Sequence, residues 1–238
     1  MPTSSPDPLV YLCPTFYIDT GSPEIVAFAA KSTAGAGSER ERAVRLYYAV
    51  RDGIRYDPYR IDMSPDAFKA TTTLAAGAGY CVPKAILLAA AARAVGIPSR
   101  LGFADVRNHL ATRKLLEALG TDLFVWHGYA ELYLGGAWIK ATPAFNLSLC
   151  ERFGVKPLEF DGEHDSILHP FDTAGKKHME YLRDRGTFAD FPLEEMLQGW
   201  RDAYPRLFGG TPAPQAREGT FEDEAAAEAA EDARRTAS

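Results

Sequence analysis

Cysteine is scarce in this chain: three residues, Cys13, Cys81 and Cys150, among 238. An odd number at wide spacing does not build a disulfide framework, and no C-x-x-C pair is present to hold zinc or run dithiol exchange. Such usage fits a reducing compartment, and the cytoplasm is the expected location. Positive charge is also in deficit. Lysine and arginine number 26 against 32 acids, a net charge of −6, which excludes the basic face that nucleic acid requires. No apolar run reaches the ~18 residues of a membrane span, so no membrane partner is expected. The first residues, MPTSSPDPLVYLCPTFY, carry neither a basic segment nor a clean apolar stretch, so no secretory signal is expected either. No repeat is visible, and nothing in the chain asks for a cofactor.

What remains is ordinary globular composition, 46% hydrophobic and 24% charged. The length suits one domain over residues 1–210, followed by an acidic tail over 211–238. The tail has almost no large apolar side chains and is expected to be disordered. Before it, helices come first. Ser22-Pro23 opens a helix over 22–35. SERERAVRLYYAVRDGI (38–54) is amphipathic, with Ser38 as N-cap and Glu41 completing a capping box. VYLCPTFYI (10–18) reads as an early strand. Residues 66–79 read as a short helix running into a glycine-rich loop. SRLGFADVRN (99–108) is a strand, and ATRKLLEALGTD (111–122) a short helix closed by Gly120. LFVWHGYAELYLGGAWIKATPAF (123–145) alternates like a hairpin turned at Gly135-Gly136. Residues 146–186 read mostly as loop and short elements, and 191–209 as a helix. Helices followed by sequential strands predict an α+β fold with an antiparallel sheet.

The stretch GYCVPKAILLAAAARAVGIPSR (79–100) carries the chemistry. Pro83 suits the first turn of a helix, so Cys81 stands at that helix's positive end. A thiol so placed can fall from a pKa of ~8.5 toward ~3.5–7.5, and Lys84 one turn on would add to the effect. The free N–H groups of the helix start could hold an oxyanion. Gly79 permits close approach by a substrate. A buried structural thiol is the level alternative at this stage. A thiol nucleophile wants a base, and His127, at the start of a strand beside Trp126 and Gly128, is the best placed of five histidines. The hairpin register sets His127 opposite roughly 140–143, which offers Thr142 and, a little beyond, Asn146 to orient the ring.

These residues resemble the core of the transglutaminase-like superfamily. The resemblance rests on GYC-x4-AILLAAAARAVGIPSR, on a histidine at a strand start, and on ELYLGGAWIKATP, across residues 40–146. It implies a papain-like fold, with the cysteine-bearing helix packed on an antiparallel sheet. It also implies Cys81 as nucleophile, His127 as general base, and acyl transfer on a small-molecule or peptide acyl substrate. The family's aspartate slot is filled here by Thr142. Thr142 or Asn146 could orient His127 instead, an aspartate such as Asp105 or Asp161 could come in, or the parent chemistry could be lost. Substrate contacts are expected from Tyr56, Gly79, Tyr80, Lys84, Asp105, Asn108, His109 and Trp126.

Three functions compete. The first is a cysteine acyl-transfer enzyme, whether hydrolase or transferase. The second is a binding or scaffolding module on the same fold, and lyase or isomerase chemistry on a carbonyl is a variant of the Cys-His site. The third is a metal-assisted enzyme using DGEHDSILHPFD (161–172), where His164, His169, Asp165 and Asp172 cluster ahead of His178. Loop histidines and aspartates more often cap turns, so no metal site is expected there.

Overall fold

A computed structural model describes residues 7–109, 111–167, 179–208 and 220–236. The expected strand over 10–18 is not formed. Pro8–Leu12 winds into a 3-10 turn capped by the Asp7 side chain, because Pro8 and Pro14 remove the donors that a ladder needs. Helix α1 spans Pro23–Ser32 and α2 spans Glu39–Gly53. Ser38 caps α2 as expected, its Oγ accepting the Glu41 N–H at 3.1 Å. The reciprocal half of the box is displaced by one residue: Glu41 accepts from the Gly37 N–H at 2.8 Å. A two-residue strand β1 (Arg55–Tyr56) follows, then α3 (Ala70–Ala76), which ends on left-handed Gly77. Strand β2 (Ala78–Gly79) pairs parallel with β1 and delivers the chain to α4 (Cys81–Ala94).

Helix α4 is the axis of the molecule. Every residue from Val82 to Arg93 is buried, with α1, α2 and α3 on its flanks and the sheet against it. The alanine run makes this possible, because Ala89, Ala90, Ala91 and Ala92 leave a thin surface that neighbours approach closely. The approach is close enough for side chains to bond the helix backbone. Thr20 donates to the Ala90 carbonyl at 2.6 Å and Ser99 to the Ala89 carbonyl at 2.8 Å. Gly96, at φ +82°, ends the helix in a Schellman turn, with the Ile97 N–H on the Ala92 carbonyl at 2.9 Å.

The main sheet is antiparallel in the order β5-β4-β3-β6. Its strands are β3 (Ser99–Asn108), β4 (Leu123–Leu134), β5 (Ala137–Ala141) and β6 (Met179–Phe188). The Gly135-Gly136 turn is as expected, both residues having positive φ. Helix α5 (Arg113–Leu119) lies between β3 and β4 and closes on Gly120. α6 (Leu147–Phe153), α7 (Leu193–Ala203) and the short α8 (Pro205–Phe208) complete the body. The architecture is α+β with a cysteine-bearing helix on an antiparallel sheet.

Outside the core one strand is longer than expected and one expectation fails. Residues 146–186 hold short α6 among loop, as expected, and also most of the ten-residue β6. β6 is a largely exposed edge strand whose sequence, MEYLRDRGTF, has no apolar alternation to betray it. The tail is not disordered throughout. Residues 221–236 form helix α9 (Phe221–Thr236), with Phe221 and Ala225 buried and the helix packed on α6. Its acids find cations: Glu224 meets Lys114 at 2.8 Å and Glu231 meets Arg113 at 2.6 Å. Two apolar anchors and this pairing outweigh a composition that reads as solvated. Among the described residues, no helix is long and apolar enough to cross a membrane.

Candidate active site

Cys81 is the first residue of α4, with Tyr80 as an N-cap that makes no side-chain cap bond. The early N–H groups of the helix are therefore left facing outward from its positive end. The β1–β2 pair sets this entry, because Gly79 is registered against Tyr56 and its carbonyl accepts the Asp57 N–H at 3.1 Å. A Cβ on Gly79 would lie 3.2 Å from Pro83 Cβ, so the tight turn into the helix suits glycine.

His127 comes from β4, and the local backbone explains where it points. Ala104 pairs with His127 and Val106 with Phe124, so Asp105 alone faces two residues, Val125 and Trp126. This is a β-bulge, and Trp126 occupies the left-handed region at φ +60°. A bulky residue in that region is strained and persists only where its surroundings hold it. Asp105 Oδ1 accepts the Trp126 N–H at 3.1 Å, and Arg185 of β6 grips the same carboxylate, Nη2 to Oδ2 at 2.9 Å. The Arg185 guanidinium sits 4.8 Å over the Trp126 ring. The Val125 N–H donates to the Tyr204 hydroxyl at 2.7 Å. On the far side the indole presses on Gly199 of α7, where a Cβ would come within 2.3 Å of Nε1. The extra residue re-aims the strand immediately before His127.

Strand and helix meet at Gly128. A Cβ there would stand 3.1 Å from Val82 Cα, so glycine suits the close approach of β4 to the helix start. Cys81 and His127 line one cavity of about 70 Å³, together with Tyr56, Tyr80, Trp126 and Trp200. Burial pushes the Cys81 thiol up to about 11, against hydrogen bonds from the Gly128, Val82 and Cys81 N–H groups that favour the thiolate. Burial likewise pushes His127 down to about 4. The expected depression of the thiol pKa is therefore overturned, because desolvation outweighs the helix-end groups. At rest the pair is a neutral thiol and a neutral imidazole.

The expected site residues divide. Tyr56, Tyr80, Asn108 and Trp126 line the cavity with Cys81 and His127. Burial, then the Cys81 charge, holds both tyrosines well above their usual range. Gly79 shapes the entry turn but lies outside the cavity wall. Asp105 is a support of the bulge, not a substrate contact. His109 is exposed and 3.7 Å from Glu180, outside the cavity. Lys84 is fully buried and faces away: its Nζ donates to the Arg51 carbonyl at 2.9 Å and the Ile54 carbonyl at 2.6 Å. It caps the end of α2, and burial draws its pKa down to about 7.

Neither expected orienting residue bonds His127. β5 pairs with β4 from Ala137 to Ala141, and Ala130 is the last β4 residue paired, so the ladder stops short of His127. The Thr142 hydroxyl is buried without a hydrogen-bond partner among the described residues, as is His127 Nε2. The Asn146 amide is spent elsewhere. Its Oδ1 accepts the Tyr56 N–H at 3.0 Å and its Nδ2 donates to Ser148 and Glu222, both at 2.7 Å. Asp161 is equally remote, holding His164 at 2.7 Å on an exposed loop. Asp161, Glu163 and His164 form the one cluster of metal-ligand type among the described residues, all exposed and apart from the Cys81 cavity. His169, Asp172 and His178 lie outside the described residues.

Sequence reasoning missed Arg185, Trp200 and Tyr204. Arg185 left no signal in an edge strand. Met196, Trp200 and Tyr204 recur at a spacing of four, a legible helix face whose destination was not legible.

A family model described as the transglutaminase-like superfamily matches residues 26–143, a span that contains Cys81, the bulge and His127. The chain belongs to the transglutaminase-like superfamily. Membership supports a cysteine-based enzyme in general terms. A search of curated proteins finds no match. Among solved structures, a candidate cysteine protease from Cytophaga hutchinsonii is similar, with 17% identity over 77% of this chain and a TM-score of 0.47. A candidate protease from Parabacteroides distasonis shares 19% identity over 61% of this chain, with a TM-score of 0.38. This transglutaminase-like chain spans 55% of the first of those proteins and 28% of the second.

Proposed function

We propose that this protein is a cysteine-nucleophile acyl-transfer enzyme acting on an amide, ester or peptide carbonyl through a thioester. One observation carries the reading: the Cys81 thiol and the His127 imidazole line the same cavity, and the Gly128 N–H that follows His127 bonds the thiol. Because both groups rest neutral, the charge forms only with substrate in place. The thiol proton passes to His127 as the sulfur attacks the carbonyl carbon, and the carbonyl π pair moves onto oxygen. N–H groups at the start of α4 stabilise that oxyanion. The oxygen pair returns, the bond to the leaving group breaks, and His127 gives the leaving group its proton. Water or an amine then attacks the thioester, His127 takes the proton of the incoming nucleophile, and Cys81 is released as a thiol. Three unpaired cysteines, Cys13, Cys81 and Cys150, support work in a reducing compartment such as the cytoplasm.

The test is a burst assay with p-nitrophenyl butyrate and intact mass. One equivalent of nitrophenol is expected, with a butyryl adduct on Cys81, none in Cys81→Ala, and a rate at least ~10²-fold lower in His127→Ala. An equal rate in both variants would reject the reading. Added hydroxylamine separates hydrolase from transferase by its share of product. A second reading, a binding module on the same fold, is favoured by one observation: among the described residues nothing hydrogen-bonds the buried His127 Nε2. It predicts no butyryl adduct on Cys81 and no nitrophenol burst above that of Cys81→Ala.

A further inference from the structure

The cavity around Cys81 is uncharged. Its walls are Tyr, Trp, Phe, Leu, Ile, Val, Met and Pro, with Cys81, His127 and Asn108 the only other side chains, and no Asp, Glu, Lys or Arg among the described lining residues. Two carboxylates adjacent in sequence to lining residues are already held: Asp105 by Arg185, and Asp57 by Arg55 at 3.5 Å. Polar hydrogens are nevertheless left over. The Tyr80 hydroxyl and the Trp200 indole N–H belong to lining residues only 7% exposed, and neither has a partner among the described residues. A charged group entering this space would lose its water with no counter-charge to meet it. A neutral chain loses nothing of the kind and gains apolar contact, and a carbonyl would satisfy one of the idle donors.

Size is limited as well. At about 70 Å³ the cavity is roughly half the ~150 Å³ void that admits benzene. One wall explains the limit. Tyr56, Asn108, Leu115 and Phe145 line the Cys81 cavity and also a neighbouring void of about 10 Å³, whose other walls are Ala111, Phe153, Val155 and, from α9, Phe221, which backs the Cys81 cavity from behind that shared wall. Phe221 is 5% exposed and packs edge-on to Tyr56, with ring centroids 5.7 Å apart. Helix α9 is held in place by side chains at its start: Glu224 accepts from Tyr59 at 2.5 Å, Thr112 at 2.6 Å and Lys114 at 2.8 Å, while Glu222 accepts from Asn146 at 2.7 Å.

We infer that the Cys81 pocket takes a short, neutral, apolar acyl group, and that Phe221 is the specificity-determining residue that sets how long this group can be. The inference rests on the acyl-transfer reading for its chemistry, but not for its binding. The polar atoms of Tyr80 and Trp200 receive the acyl carbonyl or its neighbour, and the aliphatic end runs toward Tyr56 and Phe221.

Two experiments test it separately from the chemistry. Acylation of Cys81 is followed as a nitrophenol burst with p-nitrophenyl acetate, butyrate, octanoate and hemisuccinate. The butyrate is expected to react at least ~10-fold faster than the hemisuccinate, which has the same number of carbons with a carboxylate in place of the terminal methyl. Octanoate is expected to lag butyrate in the wild type and to gain at least ~10-fold relative to butyrate in Phe221→Ala. Phe221→Leu, which keeps an apolar anchor for α9, should give a smaller gain in the same direction. Equal rates for butyrate and hemisuccinate, or a chain-length profile unmoved in both Phe221 variants, would overturn the inference. Binding is followed by NMR titration of Cys81→Ala, which cannot be acylated at that site. Butyramide should shift the Trp200 indole signal saturably and succinamate should not. If butyramide binds this way while no ester acylates Cys81, the pocket stands and the nucleophile falls. If neither amide binds, or both bind alike, the pocket falls whatever the burst shows.

Discussion

The Asp105 carboxylate holds the backbone N–H of Trp126 at 3.1 Å, and Trp126 is the left-handed residue on which the direction of His127 depends. One acid on the neighbouring strand thus holds the backbone that leads into His127. Asp105 is a positioning residue, and its pair with Arg185 is largely buried.

Asp105→Asn keeps an oxygen for Trp126 but leaves the Arg185 guanidinium without its counter-charge. A loss of roughly 3 kcal/mol in urea denaturation is expected. Asp105→Ala should cost at least as much and also move the NMR shifts of the His127 ring. A variant as stable as wild type, with an unshifted ring, would show that the bulge stands without this carboxylate.

Cys81 should alkylate slowly at neutral pH. Burial raises the thiol, so the rate with iodoacetamide should climb through pH 9 toward an apparent pKa of about 11, with no plateau near 7. A plateau below pH 8 would mean that the ion pair exists at rest.

Acid should unfold the protein through His127. Its folded pKa, lowered to about 4, lies below its ordinary value of 6.5, so the unfolded chain binds the proton more tightly. The stability it carries is fully present above pH 6.5 and lost as pH falls through 4. The gap corresponds to about 3 kcal/mol at ~1.36 kcal/mol per unit. Denaturation of wild type and His127→Gln at pH 7, 5.5 and 4 should show the wild type losing more over this window. Parallel curves would refute the assignment.

Lys84→Ala should separate structure from reactivity. It removes a fully buried side chain and both donors to the end of α2, an expected cost of about 2–4 kcal/mol. The pH profile of Cys81 alkylation should stay where it is, because the ammonium faces the Arg51 and Ile54 carbonyls. A shift in that profile would return Lys84 to the site.

Gly128→Ala tests the contact of strand with helix. A methyl 3.1 Å from Val82 Cα must push backbone away, so nitrophenol burst rates should fall by ~10-fold or more while the far-UV spectrum is kept. Wild-type rates would show that the helix start has slack.

Local rules made much of this legible. Ser38, Pro83, Gly96 and Gly120 mark helix ends by chemistry that acts within one turn, and Gly135-Gly136 marks the hairpin in the same way. Cys81 was legible because a helix start leaves a signature of its own, and His127, expected at a strand start, stands instead at the fifth residue of β4, where it lines the same cavity. The orienting group was not found, because Thr142 and Asn146 were weighed by nearness in sequence. Their partners, or lack of them, depend on where α6, α9 and Ser166 settle. β6 was lost because an exposed edge strand carries no alternation, and Arg185 went with it. Helix α9 was lost because apolar anchors such as Phe221 and Ala225 do not change a composition.

Helix α4 has one more consequence. Its interior is sealed on every side, and its Ala89 and Ala90 carbonyls are bonded by side chains from elsewhere in the chain. No small local opening exposes its amides, so they should exchange with deuterium only when the whole domain unfolds. Phe221 and the start of α9, anchored by few buried residues, should exchange far sooner. Cys81 is thus carried by the last part of the protein to open, and the residue that backs its pocket by one of the first.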